Sequence, residues 1–357
     1  MSKNKEIKHI LVIRFRRVGD SVLSMALCHG LRQTFPEAKI DFVINEGIHT
    51  LYEHHPDVDR CITFNNEENH KFLKYTCKVW RTMRHTHYDI IIDMRTTVKT
   101  LFFSLFSIFR TPFRIGEKKW YSWGILSHRL NHHSYKSKNR IQQNNILLEP
   151  LRKIVQVKPS ETFKLYVKEE DSQRYRNIMQ KAGIDFAKPV IIATPTARLG
   201  YKVLPADRMK DILKRIIDEF DAQIIFNYAG NEKKIAIRYQ HEFNDDPHIF
   251  TNIEAPTLPD LCALISNCHF FFGNEGGPRH IAQALDIPSF AIFPPNIKKS
   301  IWLPNEGERF AGISPDDFVS PEQQKAENMT YKQRMDILTA ERIWSKLITS
   351  LHKFLPS

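Results

Sequence analysis

The stretch Gly273-Asn-Glu-Gly-Gly-Pro-Arg-His280 carries the densest chemistry in the sequence. Two adjacent glycines, Gly276 and Gly277, let a backbone come close to a ligand. A helix starting behind them offers free N–H groups and the positive end of its dipole, which suits a phosphate or diphosphate. Pro278 fits the first turn of such a helix. Glu275 and His280 add a carboxylate and a titratable ring. The ordinary alternative is a tight turn whose glycines serve geometry alone. Carboxylate, glycine pair and histidine together favour an anion site.

A second carboxylate of interest is Asp20, in the loop Arg16-Arg17-Val18-Gly19-Asp20. It suits the N-cap of the helix that follows. It equally suits a general base facing a cleft, with Arg16 and Arg17 beside it to hold an acidic acceptor. Position alone leaves both readings open. The segment TPTARLGYKVLP (194–205) brings Thr196, Arg198 and Lys202 to the end of a strand. A lysine beside a diphosphate offsets the charge that builds on a leaving nucleotide, although a lone lysine is more often only solvated. Glu232, after Ala229-Gly230-Asn231, heads a helix, where a carboxylate is stabilising anyway. It also suits a ribose, as acidic residues do in nucleotide folds. No G-x-G-x-x-G fingerprint occurs.

Some features imitate sites. Asp57-Val-Asp59 has the D-x-D spacing of some metal-dependent sugar transferases but sits in a turn after Pro56. His128, His132 and His133 lack a matching cysteine or carboxylate at zinc spacing, so no metal site is expected.

The elements that position these residues are legible from periodicity. His9–Phe15 (HILVIRF) is a continuous apolar run of strand length, followed by helical spacing over Asp20–Thr34, which Pro36 stops. Lys39–Ile44 and Tyr88–Met94 read as further strands. The second half repeats the scheme, with strands at Val190–Thr194, Gln223–Asn227, His269–Gly273 and Ser289–Phe293. Its helices fall at Ala206–Glu219, Glu232–Phe243, Leu258–Ser266 and Pro278–Leu285. Continuous apolar strands alternating with helices mean parallel sheets covered on both faces. The joint falls between about 165 and 188. A closing amphipathic helix near 339–354 aligns Ile343, Leu347, Leu351 and Phe354. Two such α/β domains facing a central cleft bring strand C-termini, where ligands of open sheets bind, around one groove.

At 357 residues the chain suits two domains. Its balance of 52 Lys+Arg against 40 Asp+Glu, net +12, attracts anions: nucleic acid, anionic lipid or phosphorylated substrates. The five scattered cysteines form no C-x-x-C pair and read as reduced thiols of a cytosolic protein. Neither a signal peptide nor a run of about 20 apolar residues is found. Leu101–Phe109 (LFFSLFSIF) is unusually apolar. It reads as a buried helix or, with the basic surface, as a helix lying on lipid.

Taken in order, these stretches resemble the heptosyltransferase family (glycosyltransferase family 9), which builds the inner core of lipopolysaccharide. ILVIRFRRVGDSVLSMALCHGLRQTFPEAKIDFVI is similar to the family's opening strand, Gly-Asp loop and helix. YDIIIDMRTTVKTLFFSLF with the later RIG resembles the middle of its first domain. KVLPADRM resembles its Lys-x-Trp-Pro segment, with Leu204 in place of Trp. DLCALISNCHFFFGNEGGPRHIAQALDIPSFAIF resembles its donor-site signature, with Glu275 where Asp is commoner. The resemblance implies a GT-B fold of two Rossmann-like doubly wound domains. An N-terminal acceptor-binding domain would span 1–168 and a C-terminal nucleotide-sugar donor-binding domain 169–335. A helix in 336–357 would pack back toward the first domain.

It further implies an inverting transferase that moves heptose from ADP-heptose to the Kdo/heptose inner core on a lipid A precursor, with no metal and no cofactor. The protein would be cytoplasmic and peripherally associated with the inner membrane of a Gram-negative bacterium, with no nucleic-acid partner. Carried over, Asp20 is the catalytic base. Thr196, Lys202, Glu232, Glu275, Gly276, Gly277 and His280 bind the donor, and Arg16, Arg17 and Arg140 lie on the acceptor side. Asn139 stands where the family has a histidine. Two other readings stay in view. A nucleotide-sugar epimerase of the same fold would need no acceptor, and a nucleotide- or RNA-binding module would show salt-dependent polynucleotide binding.

Overall fold

The structure, a computed structural model, describes residues 6–15, 17–131, 138–196, 200–228 and 230–356. The chain forms two compact units, Met1–Tyr166 and Val167–Ser357.

The first unit contains β1 (His9–Ile13), α1 (Val18–Val22), α2 (Met25–Thr34), β2 (Lys39–Asn45), β3 (Arg60–Phe64), α3 (Asn66–His70) and α4 (Phe72–His85). It continues with β4 (Ile90–Asp93), α5 (Leu101–Leu105), β5 (Phe113–Glu117), β6 (His128–Leu130) and α6 (Arg140–Asn145). Its sheet has the order β3-β2-β1-β4-β5-β6, and every recorded pairing is parallel. The chain therefore winds outward from β1 in one direction, then restarts at β4 and winds in the other. The loops after β1 and β4 part at this reversal, leaving the crevice where open α/β sheets bind ligands.

The second unit contains α7 (Glu169–Lys181), β7 (Val190–Thr194), α8 (Ala206–Phe220), β8 (Gln223–Phe226), α9 (Lys233–Glu242) and β9 (Ile249–Phe250). Then come α10 (Leu258–Ser266), β10 (Phe270–Asn274), α11 (Gly277–Ala284), β11 (Ser289–Ile292) and β12 (Phe310–Ile313). The order β12-β11-β10-β7-β8-β9 repeats the same plan, with its reversal between β7 and β10.

Local sequence explains the elements. β1, β4, β7, β8, β10 and β11 are buried almost throughout because helices cover both faces, so their runs are apolar without alternation. α8 buries Met209, Ile212, Leu213, Ile216 and Ile217 as one stripe and ends where Asp221 turns left-handed at φ 50°. α10 opens on a capping box between Thr257 and Asp260. The apolar run Leu101–Phe109 is helical only to Leu105. Leu101, Phe103 and Ser104 are buried, whereas Phe109 is almost wholly exposed beyond the helix.

One expectation changes. The single helix expected over Asp20–Thr34 is two, broken at Leu23 and Ser24. The closing helix, Ala340–Phe354, packs its stripe into the second unit's core, where Ile343, Leu347 and Leu351 join Phe226, Phe270 and Phe272. A stripe of apolar residues declares that a face is buried, but not against what.

Candidate active site

In the second unit, the expected donor residues gather at the β7/β10 reversal. β10 runs beside β7 with Gly273 opposite Thr194. At Gly273 φ is +144°, and a Cβ there would lie 2.6 Å from the Thr194 carbonyl oxygen and 2.7 Å from its nitrogen. Only glycine permits this approach. The neighbouring Asn274 is buried and pins the next loop: its Nδ2 donates to the Thr194 carbonyl (3.0 Å) and its Oδ1 accepts from the Leu204 N–H (2.9 Å). Asn274 was not singled out from sequence, because one amide in an apolar strand gives no local signal.

α11 begins at Gly277 with Gly276 as N-cap and Pro278 in its first turn. Gly276 itself is extended at φ 177°, so its role is to leave space rather than to supply an unusual dihedral angle. Glu275 Oε1 lies 3.4 Å from His280 Nε2. Burial pushes the Glu275 carboxyl up, but the bond to His280 and the charges of Arg279 and Lys202 outweigh it, so the group titrates below the usual glutamate range. That balance also puts Lys202 within electrostatic reach of Glu275. Arg279 is wholly buried. It donates to Gln283 Oε1 (2.8 Å) and the Trp302 carbonyl (2.6 Å), and its Nη2 lies against the His280 ring. Burial lowers its guanidinium to about 10, with Glu275 pulling the other way.

Thr196 and Glu232, far apart in sequence, meet: the Thr196 hydroxyl donates to Glu232 Oε2 at 2.8 Å. Glu232 is the N-cap of α9, so its carboxylate sits at the positive end of that helix. Thr196, Lys202, Glu232, Glu275, Gly276, Gly277 and His280 thus all lie at the C-terminal edge of one sheet, in the loops after β7, β8 and β10 or at the helix starts that follow. A cavity of about 600 Å³ lies past β11 and β12 and includes none of these residues. Chemistry therefore selects the reversal over that hollow.

In the first unit, Asp20 is not the N-cap of α1. Arg17 is, and Asp20 follows as the third helical residue. Its Oδ1 accepts from Arg14 Nη2 at 2.7 Å, with Arg14 4% and Asp20 12% exposed along their side chains. Arg14 also donates to the Met94 carbonyl (2.8 Å), while Arg95 donates to the Phe15 carbonyl (2.6 Å). The two arginines cross-tie the ends of β1 and β4. Neither was expected, because Arg14 sits inside a run that reads as plain strand. Next to them is a cavity of about 110 Å³ lined by Arg14, Asp93, Arg95, Glu117, Arg140 and Gln143, among others. Arg140 starts α6 and bonds Gln143 Oε1 at 3.0 Å, while Asn139 is its N-cap, accepting from the Gln142 N–H (2.9 Å). Asp93 is buried: its Oδ1 accepts from the N–H groups of Arg95 and Thr96 (3.0 and 2.8 Å), and burial pushes its carboxyl above the usual range despite them.

Arg17 is exposed. Arg16, Arg198, His132 and His133 lie outside the described residues. Asp57 Oδ2 bonds His29 Nδ1 (3.0 Å), and Asp59 Oδ2 accepts from the Ile40 N–H (2.7 Å), so both carboxylates serve the fold. His128 stacks on Phe113 at 5.4 Å. Among the described residues no group of three or more His, Cys, Asp or Glu is arranged to hold a metal ion.

Residues 76–312 match the family model of glycosyltransferase family 9 (heptosyltransferase). Lipopolysaccharide heptosyltransferase 3 of Escherichia coli strain K12 is 22% identical over 281 residues, which cover 77% of this chain and 79% of that protein. A solved glycosyl transferase family 9 structure from Veillonella parvula DSM 2008 has a TM-score of 0.83 at 16% identity, covering 97% of this chain and 98% of that one. The E. coli heptosyltransferase WaaC with ADP-2-deoxy-2-fluoro heptose has a TM-score of 0.67 at 13% identity, covering 95% and 99%. At such identities the structural likeness speaks for the fold, the GT-B type built of two Rossmann-like units.

Proposed function

This chain belongs to glycosyltransferase family 9 (heptosyltransferase), and from that premise we propose that it transfers heptose from ADP-heptose to the Kdo/heptose inner core of lipopolysaccharide, inverting the anomeric carbon. The observation that carries the donor half is the cluster at the β7/β10 reversal: a carboxylate kept ionised by His280, Arg279 and Lys202 beside the start of α11. A solved relative named with an ADP-heptose analogue supports the same donor class.

Asp20 acts as general base. Arg14 holds Oδ1, which turns the carboxylate so that its other oxygen is the one to take the acceptor hydroxyl's proton. The hydroxyl oxygen forms the new bond to the anomeric carbon as the bond to the β-phosphate breaks, and the electron pair leaves on ADP. Lys202 and the α11 N-terminus offset that charge, so the reaction needs no metal and no acid for the leaving group. Glu232, oriented by Thr196, accepts from the donor ribose. Arg17 and the arginine-lined cavity with Arg14, Arg95 and Arg140 suit carboxylate-bearing Kdo. A lipid-linked acceptor places the enzyme at the cytoplasmic face of the inner membrane, bound peripherally.

The test is heptose transfer from ADP-heptose to Kdo-containing lipid acceptors, with and without EDTA. Wild type is expected to transfer in both. Asp20→Asn should lose roughly 10²–10⁴-fold in rate, read at a temperature where circular dichroism shows the variant folded. No transfer by wild type to any of these acceptors sinks the assignment, and an unimpaired Asp20→Asn removes the base.

A further inference from the structure

Large apolar side chains exposed to solvent are unevenly shared between the two units. In the second unit, among the described residues, none exceeds Ile235 at 39%. In the first unit Phe72 is 55% exposed, Leu73 80%, Val98 60%, Trp120 87% and Trp123 76%. These five come from the segments that follow β3, β4 and β5, so all lie toward the C-terminal edge of that sheet, the edge that carries Asp20 and the arginine-lined cavity.

Contacts join the segments into one rim. Phe72 packs edge-on against Phe102 at 5.6 Å. Tyr75 Oη donates to the Lys99 carbonyl (3.1 Å), Tyr121 Oη donates to the Thr96 carbonyl (3.1 Å), and Trp120 lies 5.4 Å from the Tyr121 ring. The exposed stripe continues down α4 through Trp80, over which Arg84 sits at 5.1 Å. Cations are threaded through the rim. Lys71 and Lys74 share the single carboxylate of Glu67 (2.8 and 2.6 Å), and Lys78 and Lys119 pair with Glu68 and Glu117. Lys99 donates to the Asn69 carbonyl and lies over the Tyr75 ring, and Lys118 is exposed. Six lysines against three glutamates leave an excess of three positive charges.

Tryptophan and phenylalanine flanked by lysine suit the boundary between anionic headgroups and acyl chains. The rings enter the boundary while the ammonium groups stay with the phosphates. We propose that this rim, centred on Phe72, Leu73, Trp120 and Trp123, docks the first unit on an anionic bilayer. Its acceptor cavity then opens at the depth of a lipid-linked sugar. The inference rests on the transferase reading above for its purpose, but its physics is separate. Charge complementarity favours lipid over a second copy of the chain, which would bring the same positive excess against itself.

The experiment is co-sedimentation of the full chain with phosphatidylglycerol-rich vesicles and with pure phosphatidylcholine vesicles. Wild type is expected to bind the anionic vesicles with a blue shift in tryptophan emission, and binding should weaken as salt rises. The quadruple variant Phe72→Ser, Leu73→Ser, Trp120→Ser, Trp123→Ser should lose binding by about tenfold or more. It should still transfer to a water-soluble deacylated acceptor at the wild-type rate, and transfer poorly to acceptor embedded in vesicles. A second variant, Lys71→Glu, Lys74→Glu, Lys118→Glu, should lose the preference for anionic lipid without touching the apolar side chains. Unchanged vesicle binding in both variants overturns the docking surface, even if transfer is normal. So does a wild type that ignores vesicles but dimerises in sedimentation velocity through these residues. Absence of transfer by wild type to either acceptor, with vesicle binding intact, strikes the proposed function instead.

Discussion

Asp93 and Glu275 occupy matching places in the two units. Each stands where the chain restarts its sheet beside the first strand, Asp93 closing β4 and Glu275 just past β10. Both are largely buried, yet they titrate in opposite directions. Asp93 is raised and Glu275 lowered. The difference lies in the partners. Burial dominates at Asp93: the Thr100 hydroxyl, the backbone amides of Thr96 and Arg95 and a smaller contribution from the Arg95 charge orient it but do not offset its lost hydration. Glu275 has His280, Arg279 and Lys202 around it. Neutral donors fix geometry; cations keep a buried carboxylate ionised. The second unit's arrangement suits a site that handles an ionic ligand, whereas Asp93 reads as a brace for the loop that carries Arg95.

The largest effect expected from this comparison is on Glu275→Ala. It leaves the wholly buried Arg279 without its nearby carboxylate and should cost about 3–5 kcal/mol in urea unfolding. Asp93→Ala should cost only about 1–3 kcal/mol, the loss of hydrogen bonds mainly from neutral donors. Equal costs would break the contrast. Next comes Gly273→Ala. A Cβ driven against the Thr194 backbone at positive φ should cost about 2–4 kcal/mol and weaken ADP binding measured by calorimetry. A wild-type thermal midpoint would show that β10 and β7 can part locally.

The smallest effect is in the acid limb of stability, where the two carboxylates should act with opposite signs. Glu275 has a folded value below the unfolded one of about 4.3, so its contribution is present above that pH and lost as pH falls through the folded value. Asp93 has a folded value above the unfolded one of about 3.9. Its contribution is present below that pH and lost as pH rises through the folded value. Glu275→Gln should therefore flatten the loss of stability on acidification, and Asp93→Asn should steepen it. Urea titrations between pH 3 and 7 decide it. Shifts of the same sign in both variants would mean that the partners do not control the ionisation.

The doubly wound plan was legible because it rests on local pattern. Strands such as Val190–Thr194 and helices such as Leu258–Ser266 have the limits in the structure that their sequence pattern sets, since buried parallel strands must be apolar throughout and capped helices announce their ends. β3, β5, β6, β9 and β12 were not identified. β9 has two residues and β6 three, β3 and β12 are only partly buried, and β5 (FRIGE) mixes charged residues and a glycine, so none makes a strong apolar run. Among site residues, glycines, prolines and helix-start carboxylates stood out because their chemistry is local. What tertiary structure alone decided is pairing across sequence: Thr196 with Glu232, Asn274 with Leu204, and Arg14 with the end of β4. It also gave Asp20 a buried partner in place of a capping role. It sent the closing helix into the second core. Periodicity encodes that a face is hidden and a motif encodes what its own neighbours can do. Which distant group completes a buried charge depends on strand order, and strand order is settled only when the whole sheet has formed.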